Sequence, residues 1–333
     1  MKKMKLVMVG NGMAGVRTIE ELLKISPELY DITVFGAEPH PNYNRILLSP
    51  VLAGEQTLDE IVLNSWEWYE QNGIRLHAGK KVVEIDRVRR VVRADDGTEE
   101  PYDRLLLCTG SNPFILPVPG KELGGVIAYR DIADTNAMIE AAAKYRKAVV
   151  IGGGLLGLEA ANGLMKRGMD VTVVHVMPWL MERQLDDVAG KLLQKSLEER
   201  GLKFMIGAHT QELVGGDDGR VKSVKFKDGT VVEADLVVMA VTRPLSSPTS
   251  SWVCAPIMNF RPRSSSDFCS SLPATSSSWR SISQGMTCTT VTSMPRSIRP
   301  LAASRPSRPP PITTARLYFC EASIIALVSA MSR

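Results

Sequence analysis

The feature that most constrains this fold is a glycine pattern that lies between a predicted strand and a predicted helix. Residues 149–151 are a short β-branched run, which is typical of a buried strand. Gly152, Gly154 and Gly157 follow at the spacing G-x-G-x-x-G, and residues 155–166 continue with helical periodicity. These glycines permit a tight turn and a close approach of backbone to a pyrophosphate, whose charge the amides of the helix N-terminus face. The pattern therefore predicts a dinucleotide-binding loop.

The same pattern occurs at the start of the chain. Residues 5–9 form a predicted strand, Gly10, Gly12 and Gly15 repeat the glycine spacing, and residues 16–23 form a predicted helix. A glycine-rich turn without a ligand is the alternative for either copy, but each copy has the strand–turn–helix context that the motif requires. Two copies in one chain indicate two dinucleotides side by side, most naturally a flavin and a nicotinamide.

The residue at or just after the end of the second strand in each unit indicates how the ribose of a dinucleotide would be recognised. In the first unit, residues 31–35 form that strand and Glu38 follows, at about the position where an acid meets a ribose hydroxyl. In the second unit, residues 170–175 end in His175 instead of an acid, and no arginine stands at that tip for a 2′-phosphate. The choice between NADH and NADPH is therefore left open.

The two halves also repeat further along the chain. Residues 82–85 and 88–93 are predicted paired strands, and residues 105–110 are a predicted buried strand that contains Cys108 as a core residue. Residues 221–226 and 235–241 follow the same plan in the second half, with matching Asp-Gly-Thr turns and matching aspartates. These landmarks are Asp96, Gly97, Thr98 and Asp103 in the first half, and Asp228, Gly229, Thr230 and Asp235 in the second. The repeat fails at Thr242.

Composition changes at the same place. Residues 1–242 carry a net charge of −4 and 25 glycines, whereas residues 243–333 contain ten arginines, no lysine, two acidic residues and one glycine. Serine and proline fill 21 and 11 of those last 91 positions, which does not favour a packed core. We therefore predict a disordered tail that is an out-of-frame or misjoined translation. An evolved disordered linker is the alternative, and the coding DNA around codon 242 would decide between them.

Several other classes of function are disfavoured. No apolar run is long enough for a membrane span, and no signal peptide precedes the first strand, so a cytoplasmic protein is expected. The aromatic residues of a helix predicted at 63–72, Trp66, Trp68 and Tyr69, lack a basic cluster, so we interpret them as core residues and not as a nucleic-acid platform. Neither the histidines nor the four tail cysteines have metal-ligand spacing, so no metal site is predicted.

Longer stretches carry a family resemblance. The two-dinucleotide plan with residues 108–113 (CTGSNP) resembles the flavin-dependent pyridine-nucleotide oxidoreductases. Residues 43–55 (YNRILLSPVLAGE), 127–134 and 171–186 are similar to the amino-terminal part of NAD(P)H-dependent nitrite reductase large subunits. The resemblance covers residues 4–241 and implies an α/β protein with two Rossmann-like domains of the three-layer ββα type. Its implied domains are an incomplete FAD domain at 1–118 and an NAD(P)H domain at 119–242, followed by the tail.

The resemblance also implies roles for individual residues. FAD would be bound by the first glycine loop with its helix start, by the acid on its ribose, and by residues near the flavin: Gly10, Gly12, Met13, Ala14, Gly15, Glu38, Arg45, Thr109 and Gly110. NAD(P)H would be bound by the second loop and its surroundings: Gly152, Gly153, Gly154, Leu156, Gly157, Glu159 and His175. Hydride transfer between the two cofactors needs no side chain as acid or base, so no catalytic residue is assigned.

Two departures from the family limit these expectations. Residues 243–333 contain nothing like the late strand that completes the FAD domain, so weak FAD binding is expected. The sirohaem and iron–sulfur regions that accept the electrons are also missing, so this chain is not expected to reduce nitrite alone. A disulfide reductase is disfavoured because no cysteine precedes Cys108. For an oxidoreductase module, a homodimer and a role in nitrate assimilation are expected. The remaining alternative is a truncated, non-catalytic nucleotide-binding fragment.

Overall fold

The structure, a computed structural model, describes residues 3–241 and the backbone of a short strand at Ala255–Ile257. The predicted Ser/Pro/Arg-rich tail, residues 243–333, lies outside the described part except for that strand. The prediction that this tail is disordered therefore concerns residues outside the described part. Among the described residues, no helix combines the length and the apolar character needed to cross a membrane.

The amino-terminal half alternates strands with short helices. Its strands are β1 (Met4–Val9), β2 (Tyr30–Gly36), β3 (Asn42–Tyr43), β4 (Val62–Asn64), β5 (Arg75–Ala78), β6 (Val82–Asp86), β7 (Val91–Ala94), β8 (Glu99–Pro101) and β9 (Arg104–Leu107). Its helices are α1 (Met13–Ile25), α2 (Leu48–Ala53) and α3 (Trp66–Gln71), with single 3-10 turns at Arg45–Leu47 and Asp59–Ile61.

Strands β9, β1, β2 and β5 form a parallel sheet in that order. Because side chains alternate along a strand, β1 contributes to two cores. Met8 packs with Val16 of α1 and Tyr69 of α3 on one face, while Val7 packs with Val92 of the antiparallel sheet β6–β7–β8 on the other. The half is therefore a three-layer arrangement of helices, parallel sheet and antiparallel sheet.

The second half repeats this organisation. Its strands are β10 (Val126–Ala128), β11 (Lys147–Ile151), β12 (Asp170–His175), β13 (Lys203–Ile206), β14 (Thr210–Gly215), β15 (Val221–Phe226), β16 (Val231–Glu233) and β17 (Leu236–Met239). Its helices are α4 (Ile132–Lys144), α5 (Leu155–Lys166) and α6 (Asp187–Glu198).

Strands β10, β17, β11, β12 and β13 form a second parallel sheet, so the order β17-β11-β12-β13 matches β9-β1-β2-β5. One face of this sheet packs on the antiparallel sheet β14–β15–β16, with Val149 and Val237 against Val224 and Phe226. The predicted α/β fold with two Rossmann-like units is confirmed. The domain boundary predicted at residues 118 and 119 stays a prediction.

Hydrogen bonds at matching positions support the predicted repeat. Asp96 Oδ1 accepts from the Thr98 amide at 3.0 Å, and Asp228 Oδ1 accepts from the Thr230 amide at 2.9 Å. The next aspartate in each half binds the first strand of its own parallel sheet. Asp103 Oδ2 accepts from the Lys5 amide at 2.8 Å, and Asp235 Oδ2 accepts from the Lys147 amide at 2.9 Å. The aspartates therefore tie each late strand to the strand that precedes a glycine loop.

Two parts of the fold differ from the sequence-based expectation. The helix predicted at 63–72 begins only at Trp66, because Val62–Asn64 pairs with Asn42–Tyr43 as a strand. Tyr69 is buried and Trp68 is partly buried against the same core, as predicted, but Trp66 is 45% exposed and is not a core residue. The second difference lies in the tail, where β18 (Ala255–Ile257) pairs antiparallel with β9 in an otherwise parallel sheet.

Candidate functional site

The first glycine loop joins β1 to α1 and combines strict steric limits with one open position. Gly10 has φ +109°, and a Cβ there would collide with the Cys108 carbonyl. A Cβ on Gly15 would lie 2.9 Å from both Cys108 Cβ and Met8 Sδ. Gly12, by contrast, has no atom within 4 Å of its Cβ position and begins α1 without a side-chain cap. The first-turn amides, at Met13 and Ala14, are therefore available to an anion.

The second loop, between β11 and α5, has the same construction. Gly152 has φ +126°, and a Cβ on Gly157 would collide with the Gly152 carbonyl. Gly154 begins α5 without a side-chain cap, has φ −85° and ψ 179°, and has no atom within 4 Å of its Cβ position. Leu156 lies in the first turn of this helix. Each loop thus contains glycines at which a Cβ would clash and one glycine, Gly12 or Gly154, at which a Cβ would meet no other atom. The open space at that glycine suits a ligand.

The residues after β9, which are predicted to lie near the flavin, follow a strand that pairs with β1, and their flavin contacts stay predictions. Thr109 and Gly110 are exposed and directly follow Cys108, whose amide donates to the Val9 carbonyl at 2.8 Å. Gly110 has φ +70°, and its Cβ position lies 3.7 Å from a guanidinium nitrogen of Arg130. Burial and the neighbouring Arg45 charge lower the pKa of Arg130 from its ordinary value. The Arg130 guanidinium therefore lies close to Gly110, and Arg45 hydrogen-bonds to the backbone of Arg130.

Glu38, predicted to meet a ribose, contacts two other side chains. Its Oε1 accepts from Arg45 Nη2 at 2.5 Å, and its Oε2 accepts from the Tyr43 hydroxyl at 2.6 Å. Burial, together with the Glu38 hydrogen bond, raises the pKa of Tyr43. Arg45 also donates to the Arg130 carbonyl at 2.5 Å and lies 5.3 Å from the centre of the Tyr43 ring. Glu38 and Arg45 thus form one cluster, and their predicted contacts with FAD stay predictions.

Helices α2 and α5 connect the two halves. A Cβ on Gly163 of α5 would lie 2.7 Å from Leu52 Cγ of α2, so the helices approach closely at a glycine. Arg167, which follows α5, donates to the Leu52 carbonyl, and to the Val51 carbonyl at 3.2 Å. Because α2 belongs to the amino-terminal half and α5 to the second half, this contact fixes the two halves relative to each other.

Glu159 lies in this interface. Its Oε2 accepts from the Ser49 hydroxyl at 2.7 Å, and Ser49 Oγ in turn accepts from the Tyr129 hydroxyl at 3.1 Å. Burial raises the pKa of Glu159 above its ordinary value of 4.5, and the Ser49 hydrogen bond opposes that shift only partly. Burial likewise raises the pKa of Tyr129. The predicted Glu159 is therefore a partly buried carboxyl that is hydrogen-bonded in a chain with two hydroxyl groups.

His175 closes the second loop from the end of β12. The ring is buried, and Nδ1 accepts from the Gly153 amide at 3.0 Å. The other ring nitrogen, Nε2, lies 3.1 Å from Glu182 Oε2. The structure therefore brings the predicted Gly153 and His175 together and adds a carboxylate to them.

Sequence reasoning assigned no role to three side chains at these sites: Ser49, Tyr129 and Glu182. Ser49 and Glu159 are 110 residues apart, and Ser49 and Tyr129 are 80 apart. No spacing rule indicates such pairs, although all three residues lie inside the stretches that carry the family resemblance. In the described part of the chain, no group of three His, Cys, Asp or Glu side chains could hold a metal ion.

Comparison with known proteins places this geometry in a family context. The sequence profile of the family described as pyridine nucleotide-disulphide oxidoreductase matches residues 4–248. Nitrite reductase [NAD(P)H] of Bacillus subtilis (strain 168) is 57% identical over 241 residues, which are 72% of this chain and 30% of that protein. The assimilatory nitrate reductase electron transfer subunit of the same organism is 49% identical over 240 residues, 72% of this chain and 31% of that protein. This chain thus spans about a third of the length of these relatives.

A solved structure agrees with the fold. The covalent putidaredoxin reductase–putidaredoxin complex contains a chain that is 29% identical, with a TM-score of 0.67. The match covers 72% of this chain and 58% of that chain. The two glycine loops described above fall inside the residues that the family profile matches.

Proposed function

Because this chain belongs to the pyridine nucleotide-disulphide oxidoreductase family, we propose that it is an electron-input module that passes hydride from NAD(P)H to FAD. The proposal takes the corresponding part of the nitrite reductase relative as its comparison. The observation that carries the proposal is the pair of open, uncapped helix N-termini at Gly12 and Gly154. Gly12 and Gly154 each begin a helix that follows a positive-φ glycine, which is Gly10 in the first loop and Gly152 in the second. The parallel sheets beside the two loops have matching strand orders.

The residues present fit two dinucleotides. The space at Gly12 and Gly154 is what a pyrophosphate approaching the backbone needs, because any side chain there would fill it. The Arg130 guanidinium lies close to Gly110, which follows β9, and it suits a phosphate-bearing ligand. When both cofactors are bound, the nicotinamide supplies the hydride and the flavin accepts it.

The task of the protein is to bind and orient the two cofactors. The α2–α5 contact holds the two loops in one compact unit, so both cofactors are positioned by a single packed interface. Glu159, Ser49 and Tyr129 lie in that interface, where Tyr129 is buried and Ser49 links it to Glu159 through two hydrogen bonds. We assign these three residues to orientation of the two halves, and we assign no acid or base to the hydride step.

We place the electron acceptor outside residues 3–241. Cys108 is the one cysteine in that range, whereas an iron–sulfur cluster is usually held by several cysteines. The nitrite reductase relative is about three times as long as the stretch it shares with this chain. We therefore propose that nitrite reduction, and with it a role in nitrate assimilation, belongs to the longer proteins. A cytoplasmic location and a homodimer stay predictions.

The proposal is tested by binding measurements on the full chain. FAD and NADH are titrated separately, and binding is followed by flavin and nicotinamide fluorescence. Gly12→Val should weaken FAD binding and spare NADH, while Gly154→Val should weaken NADH binding and spare FAD, because each valine fills one open position. Binding of NADH without FAD would support the non-catalytic nucleotide-binding fragment instead, and binding of neither cofactor would reject both functions.

A further inference from the structure

The residue at the end of β12 is not the acid that a dinucleotide-binding unit usually has at this position. In a dinucleotide-binding unit, an acid near this tip accepts a hydrogen bond from the ribose 2′-hydroxyl. His175 occupies the tip here, and its ring is 92% shielded from solvent and turned toward the glycine loop. Because Nδ1 accepts from the Gly153 amide, that nitrogen carries no proton.

The tautomer that follows determines the role of the neighbouring carboxylate. A neutral ring without a proton on Nδ1 carries its proton on Nε2, as the hydrogen-bond network requires. Nε2 then donates to Glu182 Oε2 across 3.1 Å. Gly153, His175 and Glu182 thus form a directed chain in which each group has one possible donor or acceptor role.

The segment after β12 folds back over the same loop. The Met181 amide donates to the Gly153 carbonyl at 3.0 Å, and Met181 has φ +52°, which is uncommon for a residue with a side chain. A Cβ on Gly153 would lie 2.7 Å from Leu180 Cδ2 and from His175 Cγ. Both backbone groups of Gly153 are therefore engaged, and the segment that carries Glu182 is fixed against the loop.

We infer that Glu182 is the ribose-recognition residue of the second loop and that it selects NADH over NADPH, with His175 as its positioning residue. The inference rests on the proposed function of residues 152–157. Glu182 is 21% exposed, and a carboxylate has about four acceptor positions, of which His175 occupies one. The remaining positions can accept from a 2′-hydroxyl, whereas a 2′-phosphate would meet a like charge.

Arg183 is the competing group. Its side chain is 41% exposed, and its Nε lies 3.9 Å from Glu182 Oε1, which is too long for a hydrogen bond. A 2′-phosphate would recruit this arginine, and NADPH would then be preferred. Glu182 is favoured because its orientation is fixed by a buried partner, while Arg183 is held by no such contact among the described hydrogen bonds.

The experiment compares dissociation constants of NADH and NADPH for the full chain, measured by nicotinamide fluorescence. The wild-type chain should bind NADH more tightly. Glu182→Gln should weaken NADH binding about tenfold, the usual loss for one hydrogen bond to a charged group, and should change NADPH binding less. Glu182→Arg should reverse the preference. Glu199→Gln, an exposed change just after α6, is the matched control and should leave both constants unchanged.

The role of His175 needs a readout that simple loop damage would not change, which is the ratio of the two dissociation constants. If His175 acts through Glu182, His175→Ala should lower the preference for NADH as far as Glu182→Gln does, and the double variant should lower it no further. A structural effect alone would weaken both nucleotides equally. An unchanged ratio in all these variants would overturn the inference, as would a preference for NADPH that Arg183→Gln abolishes.

Failure of the inference and failure of the proposed function give different results. If the wild-type chain binds neither nucleotide, while its thermal midpoint shows that it is folded, the proposed function is wrong and the inference is wrong with it. If the wild-type chain binds both nucleotides and Gly154→Val abolishes this, the proposed function holds. An unchanged ratio in Glu182→Gln would then reject the inference alone.

Discussion

At the scale of single residues, the glycines of each loop divide into those whose Cβ would clash with the fold and one whose Cβ position is open. A Cβ on Gly157 would collide with the Gly152 carbonyl, whereas a Cβ on Gly154 would meet nothing. Gly157→Val should therefore destabilise the chain by about 2 kcal/mol or more, the cost of overpacking. Gly154→Val should cost about 1 kcal/mol through a poorer helix cap and should lose NADH binding. Thermal unfolding and NADH titration of both variants check this, and equal stability losses would contradict it.

Glu159 allows a pH-dependent prediction at the same scale. Its pKa is higher in the folded chain than in the unfolded chain, since burial disfavours the charged form. The folded chain therefore holds this proton more tightly, so the contribution of Glu159 to stability is greatest below pH 4.5 and falls as the pH rises toward its folded pKa.

Glu159→Gln removes that titration. The free energy of unfolding of the variant should therefore rise relative to that of the wild type as the pH increases from 4 to 7. Urea-unfolding midpoints of both chains at the two pH values measure the difference. Glu199→Gln serves as the exposed control and should show no such trend. A difference between Glu159→Gln and wild type that is the same at both pH values would show that the Glu159 carboxyl titrates normally.

At the scale of secondary-structure elements, the α2–α5 contact decides how the two nucleotide units are held. Glycine within a helix costs about 1 kcal/mol relative to alanine, but Gly163 allows Leu52 to pack against α5. Gly163→Leu should push α2 away and slow NADH-driven flavin reduction several-fold, while leaving NADH affinity nearly unchanged. Anaerobic stopped-flow reduction and NADH titration measure the two effects separately. A proportional loss of affinity would show that the substitution damages the second loop itself.

The elements also show what the sequence could predict. Both strand–glycine–helix units were predicted because their signals are local, and so were the matching Asp-Gly-Thr turns. The helix at 63–72 was predicted too long, since pairing of β4 with β3 is a tertiary contact that overrides local preference. Ser49, Tyr129 and Glu182 acquire their partners only through folding. The sequence therefore shows that these residues are present, but it does not show which residues they contact.

At the scale of the whole molecule, the family match covers residues 4–248, and the nitrite reductase relative is about three times as long as the stretch it shares with this chain. We therefore predict that the full chain, supplied with FAD and NADH, reduces an artificial one-electron acceptor such as ferricyanide and consumes no nitrite. Acceptor absorbance and a nitrite assay, each with a protein-free control, measure the two activities. Nitrite consumption by the purified chain would contradict our proposal that nitrite reduction belongs to the longer proteins.

The central claim is that this chain brings NADH and FAD together for hydride transfer. The most direct measurement is anaerobic addition of NADH to the full chain supplemented with FAD, followed through the visible absorption of oxidised flavin. We predict that this absorption disappears at a rate that saturates with NADH, and that Gly154→Val and a protein-free mixture react far more slowly. Persistent flavin absorption in a sample that demonstrably binds both cofactors would contradict the account.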